Sequence, residues 1–67
     1  MEDIVKRVGQ NIKRLRLKKK WSQEQLAFEA DLHRAYIGQV ERGEKSIGLR
    51  NLQKIADAFK VSVKHLV

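Results

Sequence analysis

The residue types best suited to specific recognition occur at helical spacing between His33 and Arg42 in a chain of 67 residues. A guanidinium such as that of Arg34 donates two hydrogen bonds to O6 and N7 of guanine, and the amide of Gln39 pairs with an adenine edge. The methyl group of Ala35 suits a thymine methyl group. Residues three and four apart share a helix face. The outer face is predicted to consist of Arg34, Ala35, Gly38, Gln39 and Arg42, with His33 at its entry. This face suits base edges in the major groove of duplex DNA.

Each of these side chains also has an ordinary alternative role. Arg34 can contact a phosphate or stay solvated, since half to two-thirds of protein–DNA hydrogen bonds go to the DNA backbone. Gln39 lies in the middle of the face, and a neutral amide gains little from a phosphate, which favours a base contact. Gly38 costs about 1 kcal/mol relative to alanine inside a helix. It therefore serves either tight packing or a close partner.

Local signals predict two short helices joined by a tight turn between Ser22 and Gly43. Ser22 opens the second helix of the chain, and Gln25 three residues later completes a capping-box pattern. Asp31 stands where the chain must turn sharply, and aspartate tolerates a left-handed backbone better than most residues other than glycine. The third helix is predicted from about Arg34 to Arg42, with Ile37 and Val40 facing inward and Gly43 as its stop.

Two amphipathic helices flank this pair, and a last short turn follows them. The first, capped by Asp3, is predicted from about Ile4 to Lys19, and the fourth ends near Lys60. Their apolar stripes are Val5, Val8, Ile12 and Leu15, and Leu49, Leu52, Ile55, Ala56 and Phe59. Ser62 can cap a final turn through Val63 and Leu66. The prediction is one all-α domain over residues 1–67, with five short helices and with Trp21, Phe28 and Phe59 in its core.

The charge balance points to a polyanionic partner. The net charge is +7, from 15 basic and 8 acidic residues, which favours nucleic acid first and an anionic membrane surface second. Six of the eight residues from Lys13 to Lys20 are basic. They either contact phosphates directly or form a solvated face with cations at a helix C-terminus.

Other function classes find little support in the composition. There is no cysteine for a disulfide or a thiolate metal site, and His33 and His65 are far apart. We therefore expect no enzyme activity, no metal, no cofactor and no small-molecule ligand. The start Met1-Glu2-Asp3 lacks the basic region of a secretory signal, and no apolar run is long enough to span a bilayer. A soluble cytoplasmic protein is expected, associated with the nucleoid when bound to DNA.

Several spaced positions resemble the lambda-repressor-like helix-turn-helix regulators, the Cro and phage-repressor class. The likeness covers about residues 8 to 66. The matching positions are Ser22, Gln23, Leu26 and Ala27, then Ile37, Val40, Glu41 and Gly43, then Leu49, Leu52, Ile55, Ala56, Ala58, Phe59, Val61 and Ser62. Within this class the run from Leu32 to Ile37 is similar to controller proteins of restriction-modification systems. The chain departs from the class at Asp31, at His33, which is a poor helix cap, and at Ile47-Gly48.

The resemblance implies a role for each matching position. The third helix would be the recognition helix, with His33, Arg34, Ala35 and Gln39 facing bases. The side chains expected at the DNA backbone are Gln23, Tyr36, Arg42, Lys45, Ser46, Arg50 and Asn51. Tyr36 is alternatively an edge residue of the core, and Gln23 an ordinary solvated residue of a first helical turn. Arg16 and Glu41 would form a partly buried ion pair between the first and third helices.

The class typically binds a palindromic operator as a two-fold homodimer, through its last helix and the loop before it. The expected dimer contact is Phe59, Val63, Leu66 and Val67, because these apolar residues crowd a chain end with no further helix to cover them. Two other functions use the same basic surface. One is a small helical adaptor or antitoxin-like module for an acidic protein, and the other is membrane-surface binding through the first helix.

Overall fold

Four α-helices and one short 3-10 helix make up the fold in a computed structural model, which describes residues 3–67. The helices are α1 (Ile4–Lys18), α2 (Gln23–Ala30), α3 (Arg34–Glu41) and α4 (Leu49–Phe59), and the 3-10 helix is Val63–His65. The all-α prediction is confirmed, but its fifth helix is only this single turn. Met1 and Glu2, on which the expectation about a secretory signal rested, lie outside the described residues.

Two of the three predicted helix caps form, those of Asp3 and Ser22, whereas the side chain of Ser62 makes no capping hydrogen bond and lies 3.1 Å from Nδ1 of His65 instead. Asp3 accepts a hydrogen bond from the backbone N–H of Val5 at 3.0 Å, and Ser22 accepts one from the N–H of Gln25 at 3.0 Å. The side chain of Gln25 donates instead to Glu29 at 2.9 Å, so only half of the capping box forms. Each of these caps satisfies an N–H that has no partner within the helix.

The turn between α2 and α3 takes the left-handed conformation expected of it. Asp31 has φ 57° and ψ 50° and ends α2. His33 precedes α3 without a side-chain hydrogen bond to it, as expected of a poor cap. The chain therefore changes direction within three residues, and α3 packs against both α1 and α2.

The core lies where the inner faces of all four α-helices meet. Its largest fully buried side chains are Ile12, Leu26, Ile37, Val40, Ile55 and Leu66. Trp21 stacks on Phe59 with ring centroids 5.7 Å apart, which joins the start of α2 to the end of α4. Ile37 and Val40 are 0% and 1% exposed, so α3 is packed firmly against the protein on its inner side.

Two apolar residues are on the surface: Phe28, which was predicted in the core, and Leu49, which was placed on the apolar stripe of the fourth helix. Phe28 is 79% exposed, because it lies on the opposite face of α2 from the buried Leu26 and Ala30. Leu49 is 83% exposed, because it forms the first residue of α4 and extends past the edge of the core that Leu52 reaches. The prediction was wrong for both.

The chain end is closed over the core, which corrects the expected dimer contact. Phe59 and Leu66 are 2% and 0% exposed within the monomer, so neither side chain is available to a second copy. Asn11 on α1 donates a hydrogen bond to the carbonyl oxygen of Leu66 at 3.1 Å and holds this end in place. Val63 packs partly against the core, and Val67 is 49% exposed.

Among residues 3–67, none of the helices is long and apolar enough to span a bilayer. Nor do histidine and acidic side chains in this part of the chain form any group of three or more that could hold a metal ion.

Candidate nucleic-acid interface

One open depression on the outer side of α3 collects most of the residues expected at bases. It is lined by Gln23, Arg34, Ala35, Gly38, Gln39 and Arg42. Arg34 and Ala35 are exposed and Gln39 is half-buried, whereas His33 is exposed beside the depression rather than in its lining. The side chains that can donate paired hydrogen bonds therefore share one accessible surface.

A buried carboxylate fixes the end of α3 to the two preceding helices. Glu41 accepts hydrogen bonds from Nε and Nη2 of Arg16, at 2.7 and 3.0 Å, and from Nε2 of Gln23 at 3.1 Å. Arg16 also donates from Nη1 to the carbonyl oxygen of Trp21 at 2.9 Å. The structure thus contains the ion pair that the resemblance implied, with Arg16 and Glu41 only 8% and 6% exposed.

The Gln23 side chain has a structural role in addition to the contact expected of it. Its amide nitrogen is engaged by Glu41, so the side chain braces α3 while its oxygen faces the depression beside Gly38. Its backbone N–H belongs to the first turn of α2, where amide groups lack helical partners and favour an anion. This backbone group has the character expected of a phosphate contact.

Arg42 is held by an acidic neighbour that the sequence analysis did not single out. Its Nε lies 2.7 Å from Oε2 of Glu44, and its Nη2 lies 3.2 Å from Oε1. Both side chains are more than half exposed. The hydrogen bond between them raises the pKa of Arg42 and lowers the pKa of the Glu44 carboxyl. The sequence carried a signal for this pair, because Glu44 lies only two residues after Arg42, which was expected to contact a phosphate.

The other residues expected at the DNA backbone lie on α3, in the loop after it and at the start of α4. Tyr36 is half-buried and its hydroxyl oxygen accepts a hydrogen bond from Nδ2 of Asn51 at 3.1 Å. The ammonium group of Lys45 lies 5.7 Å from the centre of the Tyr36 ring. Tyr36 is therefore an edge residue of the core and also presents a polar tip. Ser46 and Arg50 are exposed nearby in the chain.

Gly38 is explained by the side chains that cross it. A Cβ atom there would lie 3.1 Å from Nη1 of Arg42 and 3.5 Å from Oε1 of Gln23. Both are the far ends of flexible side chains, and Arg42 is exposed, so its guanidinium can move aside.

We expect Gly38→Ala to raise the free energy of unfolding by up to about 1 kcal/mol, the helix-propensity difference between the two residues. Urea denaturation, monitored by far-UV circular dichroism, measures this change in the free energy of unfolding. A clear loss of stability would contradict this, since it would mean that the neighbouring atoms cannot yield.

Comparison with known proteins agrees with the helical arrangement. The helix-turn-helix family profile matches residues 12–66. The control protein C.BamHI of Bacillus amyloliquefaciens is 48% identical over 60 residues, which cover 88% of this chain and 74% of that protein. The immunity repressor of Bacillus phage phi105 is 38% identical over 60 residues, covering 90% of this chain and 42% of the repressor.

A solved structure extends the likeness to three dimensions. The restriction-modification controller protein C.AhdI from Aeromonas hydrophila superimposes with a TM-score of 0.90, at 43% sequence identity and with 97% of each chain covered. These relatives are regulators rather than enzymes by name. The fold, the family profile and the relatives agree, and the chain belongs to the helix-turn-helix family, in the class that includes phage repressors and restriction-modification controller proteins.

Proposed function

We propose that this protein is a sequence-specific, double-stranded DNA-binding transcriptional regulator that binds a palindromic operator as a homodimer. The observation that carries the proposal is the outer face of α3, where Arg34, Ala35 and Gln39 border one depression while Ile37 and Val40 are buried behind them. A rigid helix with bidentate donors on its accessible side fits the major groove, which admits an α-helix and displays distinct base edges.

The roles divide between base edges and phosphates. Arg34 suits guanine, Gln39 suits adenine, and Ala35 suits a thymine methyl group. His33 stands at the entry of the same helix and is exposed. Phosphate contacts fall to the flanking groups, namely the backbone N–H of Gln23, the Tyr36 hydroxyl, Arg42, Lys45, Ser46, Arg50 and Asn51. The net charge of +7 supplies the favourable long-range field for this geometry.

Dimerisation follows from the small contact area of one copy. A single module buries too little surface for tight binding at physiological salt, so two recognition helices acting together are needed. Val67 is exposed and Val63 partly so, and we propose that this end of the chain, rather than Phe59 or Leu66, supplies apolar contact. The relatives named as controllers suggest the setting, which is control of restriction-modification genes.

Selection from a pool of random duplexes tests the proposal. A palindrome with half-sites about one helical turn apart should be recovered. It should bind at least about a thousandfold more tightly than unrelated duplexes, and its affinity should fall steeply with salt. Recovery of no motif, with all duplexes bound alike, would contradict the proposal and favour a protein-interaction module.

A matched pair of variants assigns the two kinds of contact within this test. Gln39→Ala should relax the preference at one base position in each half-site, with a loss of about 1 to 3 kcal/mol against the best base only. Arg50→Ala should weaken all duplexes by a similar factor and make the salt dependence shallower. Equal losses on every sequence for both variants would contradict the assigned roles.

A further inference from the structure

We propose that Glu44 competes with DNA phosphate for the guanidinium of Arg42 and thereby lowers the sequence-independent affinity of the protein. This inference rests on the proposed DNA-binding function. It concerns Glu44, to which the proposed function assigns no role. The ion pair lies at the edge of the surface proposed to meet DNA, because Arg42 lines the depression on α3.

Glu44 contacts Arg42 through two hydrogen bonds, in the way that a phosphate would. Both carboxylate oxygens of Glu44 accept from Arg42, through Nε at 2.7 Å and Nη2 at 3.2 Å. This two-point fork is the one a guanidinium also offers to phosphate. A phosphate approaching from the groove therefore meets an edge of Arg42 that already carries an acceptor.

The backbone places the carboxylate there. After α3 the chain turns at Gly43, which has φ 74°, and the N–H of Gly43 donates to the carbonyl of Val40 at 3.1 Å. The N–H of Glu44 then donates to the carbonyl of Gln39 at 2.9 Å. These two bonds form a Schellman-type helix end. The position of Glu44 beside Arg42 is thus fixed by the end of α3 itself.

On its other side the guanidinium extends over Gly38. Its Nη1 lies next to Gly38, at 3.1 Å from where a Cβ atom would be, so the side chain runs back along the outer face of α3. Glu44 holds it in this orientation. Ion pairs exposed to this degree are weak. Glu44 therefore reduces DNA affinity by a modest factor in each subunit without preventing binding.

The test is Glu44→Gln in the full chain, measured by fluorescence anisotropy against a random-sequence duplex and against the selected operator over a series of KCl concentrations. We expect affinity to rise on both duplexes by roughly two- to fivefold per bound subunit. The slope of log K against log salt should become steeper by up to about 0.9 per subunit, the value of one more phosphate contact.

Two controls separate this mechanism from a change in net charge. Glu29→Gln removes the same charge from an exposed glutamate on α2 and should change affinity by less than half as much. In an Arg42→Gln background, Glu44→Gln should lose most of its effect. Equal effects of Glu29→Gln and Glu44→Gln, or a full Glu44 effect without Arg42, would overturn the inference.

The two proposals fail in distinguishable ways. If the unaltered protein binds no duplex in preference to another, the proposed function fails before the variants are compared. If it selects a palindrome but Glu44→Gln leaves both affinity and salt slope unchanged, only the competitor role of Glu44 is overturned.

Discussion

Glu41→Gln is expected to lower the free energy of unfolding by about 3 to 5 kcal/mol, the usual cost of breaking a buried ion pair on one side. Arg16, which is only 8% exposed, would be left with no opposite charge beside it. One of the two oxygens that accept from Arg16 and Gln23 would also become an amide NH2 group, which cannot accept from those donors. Urea unfolding monitored by the fluorescence of Trp21, which stacks on Phe59, measures the change.

The exposed ion pair between Arg42 and Glu44 provides the control for this prediction. Glu44→Gln makes the same chemical change in a pair that is more than half exposed, and it should leave the unfolding curve nearly unchanged. Replacing both partners, Arg16→Met with Glu41→Leu, should recover a large part of the loss because neither charge is then stranded. A Glu41→Gln protein as stable as its parent would contradict the role given to this pair.

Gly9→Ala is expected to destabilise the fold by about 2 to 3 kcal/mol, toward the upper end of the range for overpacked cores. A Cβ atom at Gly9 would overlap the carbonyl oxygen of Val40 and lie 3.0 Å from that of Glu41. These are backbone atoms at the closest approach of α1 and α3, so no side chain can rotate away. The gain of about 1 kcal/mol in helix propensity offsets only part of this cost.

Gly48→Ala is the matched comparison, since nothing lies within 4 Å of its added methyl group. It should cost much less than Gly9→Ala in the same thermal or urea denaturation. Equal losses of stability for the two variants would contradict the view that Gly9 allows the close approach of α1 and α3.

Local chemistry explains which parts of the fold were predictable. Ser22 accepts the hydrogen bond expected of a cap, and Asp31 takes the left-handed conformation expected at a turn, so helix bounds came within a residue or two. These features depend on neighbours in the chain. Side chains on the outer face of α3 were predictable for the same reason, because helical spacing alone decides which of them lie together.

The errors and omissions depend on contacts between distant segments. Phe28 and Leu49 are apolar at plausible positions, but periodicity does not reveal where the core ends. Gly9 matters only because α3 crosses α1 at that point. The pairing of Arg16 with Glu41, 25 residues apart, was implied by family resemblance rather than by any local pattern. Phe59 and Leu66 were misassigned because the chain end folds back over its own interior.

The single carboxylate that receives Arg16 and Gln23 has an evolutionary consequence. Since α3 is anchored from α1 and α2 through Glu41, its tilt cannot drift without sacrificing thermodynamic stability. In the proposed mode of binding, new operator preferences are therefore most accessible by exchanging the side chains of Arg34, Ala35 and Gln39 on an unchanged scaffold. Such retargeting would let related chains diverge in DNA sequence preference while their backbones remain superimposable.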